Sequence, residues 1–422
     1  MARIYEYQGK EILREAGISV PAGRCVSTPR EAWEAAREIG RPVVIKAQIW
    51  ATGRAAAGGV KFAQGPEEAK EAAAGLLGRE VKGHLVEQVL VEERLEVDRE
   101  VFVGLVVSSS HRIKGPVLIF SAEGGSSVEE VSGRNPERVG RLNVDYLAGV
   151  PEAAARELID GVSFEQGRPS EEIMGRLARI VSAVYRAFVD YDARALEVNP
   201  LIVTTDGRVL AADCHFTLDD NSVFRHPELG IKVPRDMDRP PTDLEVAAWS
   251  IEEGDYRGTG YFSQMTAGIE GPGWLGFHGV GGGGAMLGAT AFVARGLKIA
   301  NYADTSGDPP ASKIYSVIKY ILSMAIDGYV LMGAVLANQE MWHHAHALVK
   351  AFREEARKRP GFPVVMLLAG NKEAESRRII ETGFKDLPLK WELYGREYIY
   401  RTDFIADRVE SLVREYQQEK GR

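Results

Sequence analysis

The chain has 422 residues, more than one ordinary hydrophobic core supports, so we expect two or three domains. Its formal net charge of −8, with no run of lysine or arginine, argues against non-specific binding of nucleic acid. No apolar run is long enough to span a bilayer, and the charged, amphipathic N-terminus lacks a signal core, so we expect a cytoplasmic protein.

Hydrophobic periodicity and turn signals predict a mixture of helices and strands in the first half of the chain. Helices are predicted over residues 4–16, 29–39, 66–77, 151–164 and 170–189, and strands over residues 25–26, 42–48, 60–63, 90–92, 100–107, 114–121 and 127–131. We expect strands 90–92 and 100–107 to pair with each other across their charged connection.

A stretch near the middle of the chain predicts a β-hairpin. Apolar runs over 201–204 and 209–212 flank Thr205-Asp206-Gly207, and Asp-Gly in this position is a strong hairpin signal. Asn199 leads the first strand and Asp213 ends the second, so the hairpin can bring an amide oxygen and a carboxylate together. Hard oxygen ligands of this kind suit Mg²⁺. A capping asparagine and a surface aspartate are the alternative.

A proline-rich stretch without periodicity over 225–243 predicts a domain boundary. After it, strands and helices alternate, which is typical of a doubly wound parallel sheet. The predicted strands are 273–280, 299–303, 328–335 and 364–368, and the predicted helices are 286–295, 311–324, 341–358, 372–382 and 403–417. Ligands bind such sheets at the carboxyl ends of the strands, so we expect loops 281–284, 305–307 and 337–340 to form the ligand rim.

Two features of the first half suggest a nucleotide site. Lys46 ends a strand rich in valine and isoleucine, and a loop rich in glycine and alanine, including Gly53, follows it. A lysine and backbone N–H groups commonly bind phosphate. The alternative is that Lys46 is only an edge-strand lysine whose charged end reaches solvent. Glu92 and Glu100 could accept hydrogen bonds from a nucleoside, or they could form a solvated acidic patch.

Two loops of the second half suggest anion binding. Residues 279–284 match GxGxxG, but no acidic ribose partner follows. We therefore favour a glycine turn over 281–285 that lets a carboxylate approach the next helix N-terminus. Residues 305–310 predict a helix start capped by Ser306 or Asp308, with an anion site at the positive end of the helix as the functional alternative.

The histidines and cysteines do not predict a metal or redox centre. Within the cluster at 343–346, only His343 and His346 share a helical face, and no cysteine or carboxylate joins them at zinc spacing, so we interpret His343, His344 and His346 as structural or surface residues. Cys25 and Cys214 are interpreted as small buried hydrophobic residues.

Several motifs together resemble one family over nearly the whole chain. They are Tyr5-Glu-Tyr-Gln-Gly-Lys-Glu-Ile-Leu, Thr28-Pro29-Arg30-Glu31-Ala32, Val44-Ile-Lys46-Ala-Gln48 followed by Gly53-Arg54 and Ala57-Gly58-Gly59, Leu90-Val91-Glu92 with Glu100, Glu123-Gly-Gly125, and Glu197-x-Asn199-Pro200-Leu201 with Asp213. The sequence resembles the β-type subunit of the ADP-forming acyl-CoA synthetases, of which succinyl-CoA synthetase is the reference member.

The resemblance implies an ATP-grasp domain over 1–234, a linker over 235–244 and a flavodoxin-like CoA-ligase domain over 245–422. It implies ATP and Mg²⁺ as cofactors, and an α-type partner that binds CoA and carries the active-site histidine. ATP phosphorylates this histidine, the phosphate passes to a carboxylate, and CoA displaces it. The residues implied for this site are Lys46, Gly53, Arg54, Glu92, Leu95 and Glu100 for the nucleotide, Asn199 and Asp213 for Mg²⁺, and Glu197 facing the phosphohistidine.

The sequence also departs from the family pattern. Ala55 and Ala56 stand where glycine and lysine are usual, and Cys214-His215 follows Asp213 where Gly-Lys is common. The changes at Ala55 and Ala56, together with the altered loop at 336–338, leave open a non-catalytic paralogue that binds ATP or a partner and regulates.

Part of the second domain resembles ATP-citrate lyase and the large subunit of citryl-CoA synthetase. The similar segments are Ala300-Asn301-Tyr302, Ser306-Gly307-x-Pro309, the glycine turn at 281–285, and Leu336-Ala337-Asn338, and they imply substrate contacts at Gly282, Gly283, Ser306, Gly307 and Asn338. Yet Glu340 stands where a hydroxyl is expected, and Leu367-Leu368 replaces an arginine. A carboxylate facing a tricarboxylate is unfavourable, so a citrate-like acid, a smaller dicarboxylate and succinate itself all stay open.

Overall fold

The computed structural model describes residues 2–51, 53–110, 112–125, 127–231, 239, 241–253, 255–266, 268–334 and 339–421. The chain divides into two compact units, Met1–Pro240 and Pro241–Arg422. Each unit has hydrophobic cores of its own. In the part of the chain described, no helix is both long and apolar enough to cross a membrane.

The first unit combines short helices with antiparallel strands. Its helices are α1 (Glu6–Glu15), α2 (Pro29–Ile39), α3 (Pro66–Leu76), α4 (Val128–Arg134), α5 (Glu152–Asp160) and α6 (Glu171–Asp190). Its strands are β1 (Ala2–Arg3), β2 (Gly23–Val26), β3 (Val43–Ala47), β4 (Val60–Ala63), β5 (Glu80–Val81), β6 (His84–Leu85), β7 (Val89–Glu93), β8 (Val97–Val107), β9 (Pro116–Ser121), β10 (Val139–Asn143), β11 (Ala193–Thr204), β12 (Val209–Ala211) and β13 (Cys214–Leu218).

Two sheets dominate this unit. A seven-stranded sheet has the order β1-β13-β11-β8-β9-β10, with β12 also paired to β11, and a four-stranded sheet has the order β2-β7-β3-β4. Helices α1, α5 and α6 contribute to the core that includes the first sheet, and α2 and α3 pack with the second. The short connection between β7 and β8 therefore leads from one sheet to the other.

The predicted pairing of strands 90–92 and 100–107 is wrong. All residues of β7 are buried, and β7 lies between β2 and β3, whereas β8 lies between β9 and β11. A fully buried strand needs partners on both sides, which a simple hairpin with β8 would not supply. The predicted strand at 127–131 is also wrong, because the Ser127 side chain accepts from the backbone N–H of Glu130 and caps α4.

The second unit contains a parallel sheet covered by helices on both faces. Its helices are α7 (Asp243–Ala248), α8 (Gly282–Ala294), α9 (Ala311–Ser323), α10 (Trp342–Glu355), α11 (Glu373–Phe384) and α12 (Thr402–Glu419). Its strands are β14 (Tyr261–Gln264), β15 (Trp274–Val280), β16 (Lys298–Asp304), β17 (Gly328–Ala334), β18 (Phe362–Ala369) and β19 (Leu389–Tyr394).

The sheet order β14-β16-β15-β17-β18-β19 identifies the fold of this unit. Strands β15 to β19 are parallel and have the order 2-1-3-4-5 of flavodoxin-like sheets, and β14 is an added antiparallel edge. One hydrophobic core packs α9, α10 and α11 on one face, and the other packs α8 and α12. The predicted doubly wound parallel sheet is confirmed.

One predicted helix start and one predicted helix cap are wrong, whereas the predicted start of α9 at residue 311 is correct. The glycine cluster at 281–285 is not a separate turn, because α8 already begins at Gly282 and Gly281 is its N-cap at φ +85°. Helix α9 begins at Ala311 without a side-chain cap. The predicted caps have other partners: Ser306 Oγ donates to Asp304 (2.6 Å), and Asp308 accepts from the backbone N–H of Glu340 (3.1 Å).

Candidate active site

Lys46 lies at the centre of a buried cluster of charges in the first unit. Strand β3 carries Lys46, and only 12% of its side chain is exposed. Its Nζ donates to Glu6 (2.9 Å) and to the carbonyl oxygen of Ala212 (2.6 Å), and it lies 3.0 Å from Glu92. Lys10 of α1 also donates to Glu92 (2.6 Å) and to Ala212 (2.7 Å). The cluster thus ties α1 and the smaller sheet to the end of the hairpin.

Arg54 joins this cluster to the hairpin's carboxylate. It follows Gly53 in the loop between β3 and β4, and it is buried although the loop around it is exposed. Its Nη2 donates to Glu6 (2.7 Å) and to both oxygens of Asp213 (3.1 Å each). Its Nη1 donates to the carbonyl oxygen of Ala47 (3.0 Å). Arg54 therefore brings a positive charge from this glycine- and alanine-rich loop into direct contact with Asp213, which is a predicted Mg²⁺ ligand.

The cluster contains three acids, Glu6, Glu92 and Asp213, and three bases, Lys10, Lys46 and Arg54. Burial alone would raise the pKa of Glu6, but the neighbouring cations lower it well below its ordinary value. Burial alone would lower the pKa of Lys46, but its carboxylate neighbours raise it. The same opposition raises the pKa of Arg54. These three groups are therefore ionised at neutral pH, and the cluster as a whole contains as many acidic as basic side chains.

The predicted hairpin places Asn199 opposite Asp213. Strand pairing runs from Val198 with Cys214 to Leu201 with Ala211, so Asn199 and Asp213 occupy facing positions between these pairs. The hairpin itself is confirmed.

Asn199 also connects the hairpin to the Glu123-Gly-Gly125 segment. Its Oδ1 accepts from the backbone N–H of Gly125 (2.8 Å), and its Nδ2 donates to Glu197 (3.0 Å). Glu197 and Asn199 alternate along β11 with the buried residues Leu196 and Val198, which form part of the core. The strand therefore holds its two polar side chains on the face opposite the core.

A cavity of about 310 Å³ opens beside these residues and is lined by Arg54, Glu197, Trp50 and His215, among others. Glu197 pairs directly across the strands with His215. Trp50 stacks on Tyr5 with ring centroids 5.1 Å apart, and its buried Nε1 has no hydrogen-bond partner within the described ranges. The lining of the cavity thus combines acidic side chains, cationic or protonatable side chains and an indole N–H without a described partner.

The remaining predicted nucleotide residues lie around the passage between the two sheets. Leu95 is half-buried in the connection from β7 to β8, and Glu100 lies on β8. Glu100 closely approaches Gly125, because a Cβ added to this glycine would lie 2.5 Å from Glu100 Oε2. Burial raises the pKa of Glu100. Glu92 and Glu100 thus lie on different sheets, and the described partners of Glu92 are lysines.

In the second unit, two predicted substrate loops meet at the carboxyl ends of β15 and β16. Gly282 and Gly283 are exposed in the first turn of α8, and Gly307 is exposed after β16. The backbone N–H of Gly281 donates to Asp304 (3.3 Å), which also accepts from Ser306 Oγ. Asp304 therefore already accepts hydrogen bonds from the Gly281 N–H and the Ser306 hydroxyl, two donors that an acidic substrate could otherwise use. The predicted contact Asn338 lies outside the described residues.

More acid surrounds this rim. Asp308 pairs with Arg257 (2.5 Å), and Glu340 Oε2 accepts from the indole N–H of Trp342 (2.6 Å). Among the described residues, Arg257 is the cation that forms an ion pair with one of these acids, Asp308. The rim therefore carries Asp304, Asp308 and Glu340 close to the predicted substrate residues.

The histidines of α10 divide as the helical spacing predicts. His343 is half-buried and His346 is exposed, whereas His344 is fully buried and hydrogen bonds to Thr305. Across the described ranges, no group of three or more histidines, cysteines and acids is arranged to hold a metal ion. Cys214 is buried as predicted, whereas Cys25 is only half-buried.

Sequence reasoning missed the roles of Glu6 and Lys10. Both lie in the Tyr5-to-Leu13 motif, where they look like ordinary polar helix residues, and both are buried and paired with charged residues of the smaller sheet. Their spacing of four residues on α1 was the available signal, because it places opposite charges on one helical face.

Comparison with known proteins agrees with this architecture. A family model described as an ATP-grasp domain matches residues 3–203. The succinate–CoA ligase [GDP-forming] subunit beta of Thermus thermophilus is 35% identical over 381 residues, which cover 90% of this chain and 93% of that protein. The succinate–CoA ligase [ADP-forming] subunit beta of Roseiflexus sp. (strain RS-1) is 34% identical over 382 residues, with 90% and 93% covered.

The chain belongs to the succinate–CoA ligase β-subunit family. Members of this family are ligases that form the carbon–sulfur bond of a thioester, and the name β subunit implies an α-subunit partner. The structure of ATP citrate lyase from Methanothrix soehngenii matches with a TM-score of 0.72 at 20% identity and covers 96% of this chain and 99% of that one. At this identity the match confirms the fold of the β-subunit family member and nothing finer.

Proposed function

We propose that this chain is the β-type subunit of an ADP-forming carboxylate–CoA ligase. Its first unit would bind ATP and Mg²⁺, its second unit would bind the organic acid, and an α-type partner would supply CoA binding and the phosphorylated histidine. The observation that carries this proposal is the contact of Arg54 with Asp213 at the end of the hairpin, next to the contact of Lys46 with the carbonyl oxygen of Ala212. Family membership supplies the reaction class.

The residues of the first unit fit a magnesium nucleotide. Asn199 and Asp213 would supply an amide and a carboxylate oxygen, the hard ligands that Mg²⁺ takes together with water and phosphate. Lys46 and Arg54 would neutralise the phosphates. When bound, Mg²⁺ supplies charge neutralisation for phosphoryl transfer. Gly53, Leu95 and Glu100 would line the remaining nucleotide site.

Arg54 and Asp213 satisfy each other in the geometry described here, which suggests how binding proceeds. A triphosphate offers Arg54 a stronger partner, and its cation offers one to Asp213, so the ion pair would exchange rather than leave either charge buried and unpaired. Lys46 would turn from the Ala212 carbonyl toward phosphate. Glu92, which holds Lys46 and Lys10, would then position these cations more than touch the nucleoside.

Glu197 would face the partner's histidine when that histidine visits the nucleotide. Its carboxylate lines the cavity beside Arg54 and is oriented by the Asn199 amide. A carboxylate in this position can accept the imidazole N–H and thereby hold the other ring nitrogen toward the phosphate. In-line phosphoryl transfer needs mainly such positioning and charge neutralisation.

For the organic acid, the rim of the second unit favours few negative charges. Asp304, Asp308 and Glu340 repel a tricarboxylate, and Arg257 is already paired. We therefore infer a monocarboxylate or dicarboxylate, with succinate ahead of citrate, bound near Gly282, Gly283, Ser306 and Gly307. The residue Asn338 stays part of this proposed site.

The test is a reaction by the complex of this chain with an α-type subunit from the same genome. We expect γ-labelled ATP to label the α-subunit histidine with release of ADP, and a carboxylate with CoA to remove the label as inorganic phosphate. Parallel reactions with GTP would establish the nucleotide. Binding of ATP without labelling of a correctly assembled complex would instead support the non-catalytic regulatory alternative and would exclude the ligase.

A further inference from the structure

A buried chain of polar side chains lies beneath the acid-binding rim of the second unit. Tyr329 of β17 contacts His278 of β15 through its hydroxyl and Nδ1 (2.5 Å), and His278 Nε2 contacts Thr305 Oγ1 (2.7 Å). Thr305 Oγ1 also contacts Nε2 of His344 on α10 (2.8 Å). All four side chains are essentially inaccessible to solvent. One threonine hydroxyl thus connects β15 and α10 with the loop that follows β16.

Both imidazoles in this chain are neutral. Burial lowers the pKa of His278 well below its usual value, and burial lowers the pKa of His344 to about 3. A neutral imidazole has one donor nitrogen and one acceptor nitrogen, and a hydroxyl has a single hydrogen to donate. The Thr305 hydroxyl can therefore donate to only one of the two rings, and at least one ring donates to it.

Further polar groups lie at the two ends of the chain. The Tyr329 hydroxyl has His278 as its hydrogen-bond partner, and the side-chain nitrogen of Gln339 lies 3.5 Å from His344 Nε2. The Thr305 hydroxyl contacts both imidazoles, and a residue without a hydroxyl cannot replace it.

The backbone of Thr305 is held in the same way. Its N–H donates to the carbonyl oxygen of Gly279 (3.2 Å), and its carbonyl oxygen accepts from the side chain of Gln339 (2.8 Å). Directly after it come Ser306 and Gly307, the latter at φ +76°. The loop is thus anchored at Thr305 and exposed at Gly307, where the acid is proposed to bind.

We propose that Thr305 is a positioning residue whose hydroxyl, clamped between His278 and His344, fixes Ser306 and Gly307 for binding of the acid substrate. This role rests on the proposed function, because it assumes that the acid binds at this rim. To the proposed acid-binding site it adds two buried, neutral histidines, His278 and His344. They act on the loop through Thr305 and do not contact the substrate themselves.

The test compares Thr305→Val, which keeps the shape and removes the hydroxyl, with Thr305→Ser, which keeps the hydroxyl. Both would be measured in the complex with the α-type subunit. The first readout is labelling of the α-subunit histidine by ATP. The second is the KM and kcat for the acid that the wild-type complex uses best in a panel of succinate, malate, acetate and citrate. The third is hydrogen exchange in the peptide covering 304–310.

For Thr305→Val we expect labelling within twofold of wild type, a KM for the acid at least tenfold higher with a much smaller change in kcat, and at least tenfold faster exchange in the peptide. Thr305→Ser should restore all three values to within about threefold. An unchanged KM and exchange rate in Thr305→Val, or equal losses in both variants, would overturn the proposal. If Thr305→Val does not fold, Thr305→Ala replaces it with the same expectations. Absence of labelling in the wild-type complex would instead refute the proposed function, while the exchange experiment still tests the clamp.

Discussion

Glu6→Gln tests whether the buried charges of the first unit must balance. Glu6 accepts from or pairs with Lys10 (2.8 Å), Lys46 (2.9 Å) and Arg54 (2.7 Å), so its neutralisation leaves one buried positive charge without compensation. Removal of one partner from a buried ion pair costs about 3–5 kcal/mol. We expect the free energy of unfolding of the first unit to fall by about that amount.

The assay is urea unfolding followed by hydrogen exchange of peptides from α1 and β3, which reports the first unit alone. The matched control is Glu11→Gln, an exposed change on the same helix. The double variant Glu6→Gln/Lys10→Met removes one charge of each sign and should recover at least half of the loss. A Glu6→Gln effect within about 1 kcal/mol of the control would refute the argument, since that is the range of surface substitutions.

The same contacts predict a pH dependence. The folded pKa of Glu6 lies below its unfolded value, so its stabilising contribution is complete above the ordinary glutamate pKa of 4.5 and is lost as the pH falls through the folded value. Wild type should therefore lose stability more steeply than Glu6→Gln below about pH 4.5. Parallel pH curves for the two proteins would contradict this assignment of the shift.

Three further predictions concern other parts of the molecule. The acidic rim predicts that kcat/KM for succinate exceeds that for citrate at least tenfold in the complex with the α-type subunit, and a preference for citrate would contradict the electrostatic argument. Burial raises the pKa of Cys25 to about 12 and that of Cys214 well above its usual value, so neither thiol should react with Ellman's reagent at pH 8 until urea unfolds the chain. Gly258→Ala should destabilise the second unit by about 2–3 kcal/mol in urea, because the new Cβ would meet Pro309 at 2.5 Å and φ is +64°; Gly268→Ala, which meets nothing within 4 Å, is the control.

Much of the local structure follows from the sequence. Capping and proline signals place α2 correctly, because Thr28 and Glu31 form a capping box and Gly40 ends the helix in the left-handed region. The Asp-Gly turn places the central hairpin. These signals are local, so no knowledge of the distant chain is needed to interpret them.

The failures concern information that is not local. Strands β7 and β8 were each predicted. Their assignment to different sheets was not, because it depends on partner strands that lie far away in sequence. The half-buried edge strand β19 lacks the apolar run of a central strand, and it was not predicted. Lys46 and Asp213 could be singled out by motif, but their connection through Arg54 and Glu6 depends on side chains from elements far apart in sequence.

The most direct test of the central claim is the transfer of phosphate from ATP to the α-subunit histidine by complexes that carry Asp213→Ala or Asp206→Ala. Asp206 lies at the exposed tip of the same hairpin and is the matched control. If Asp213 presents the nucleotide with its cation, Asp213→Ala should reduce labelling at least a hundredfold and Asp206→Ala should leave it within twofold of wild type. Undiminished labelling of a correctly assembled Asp213→Ala complex would contradict the account.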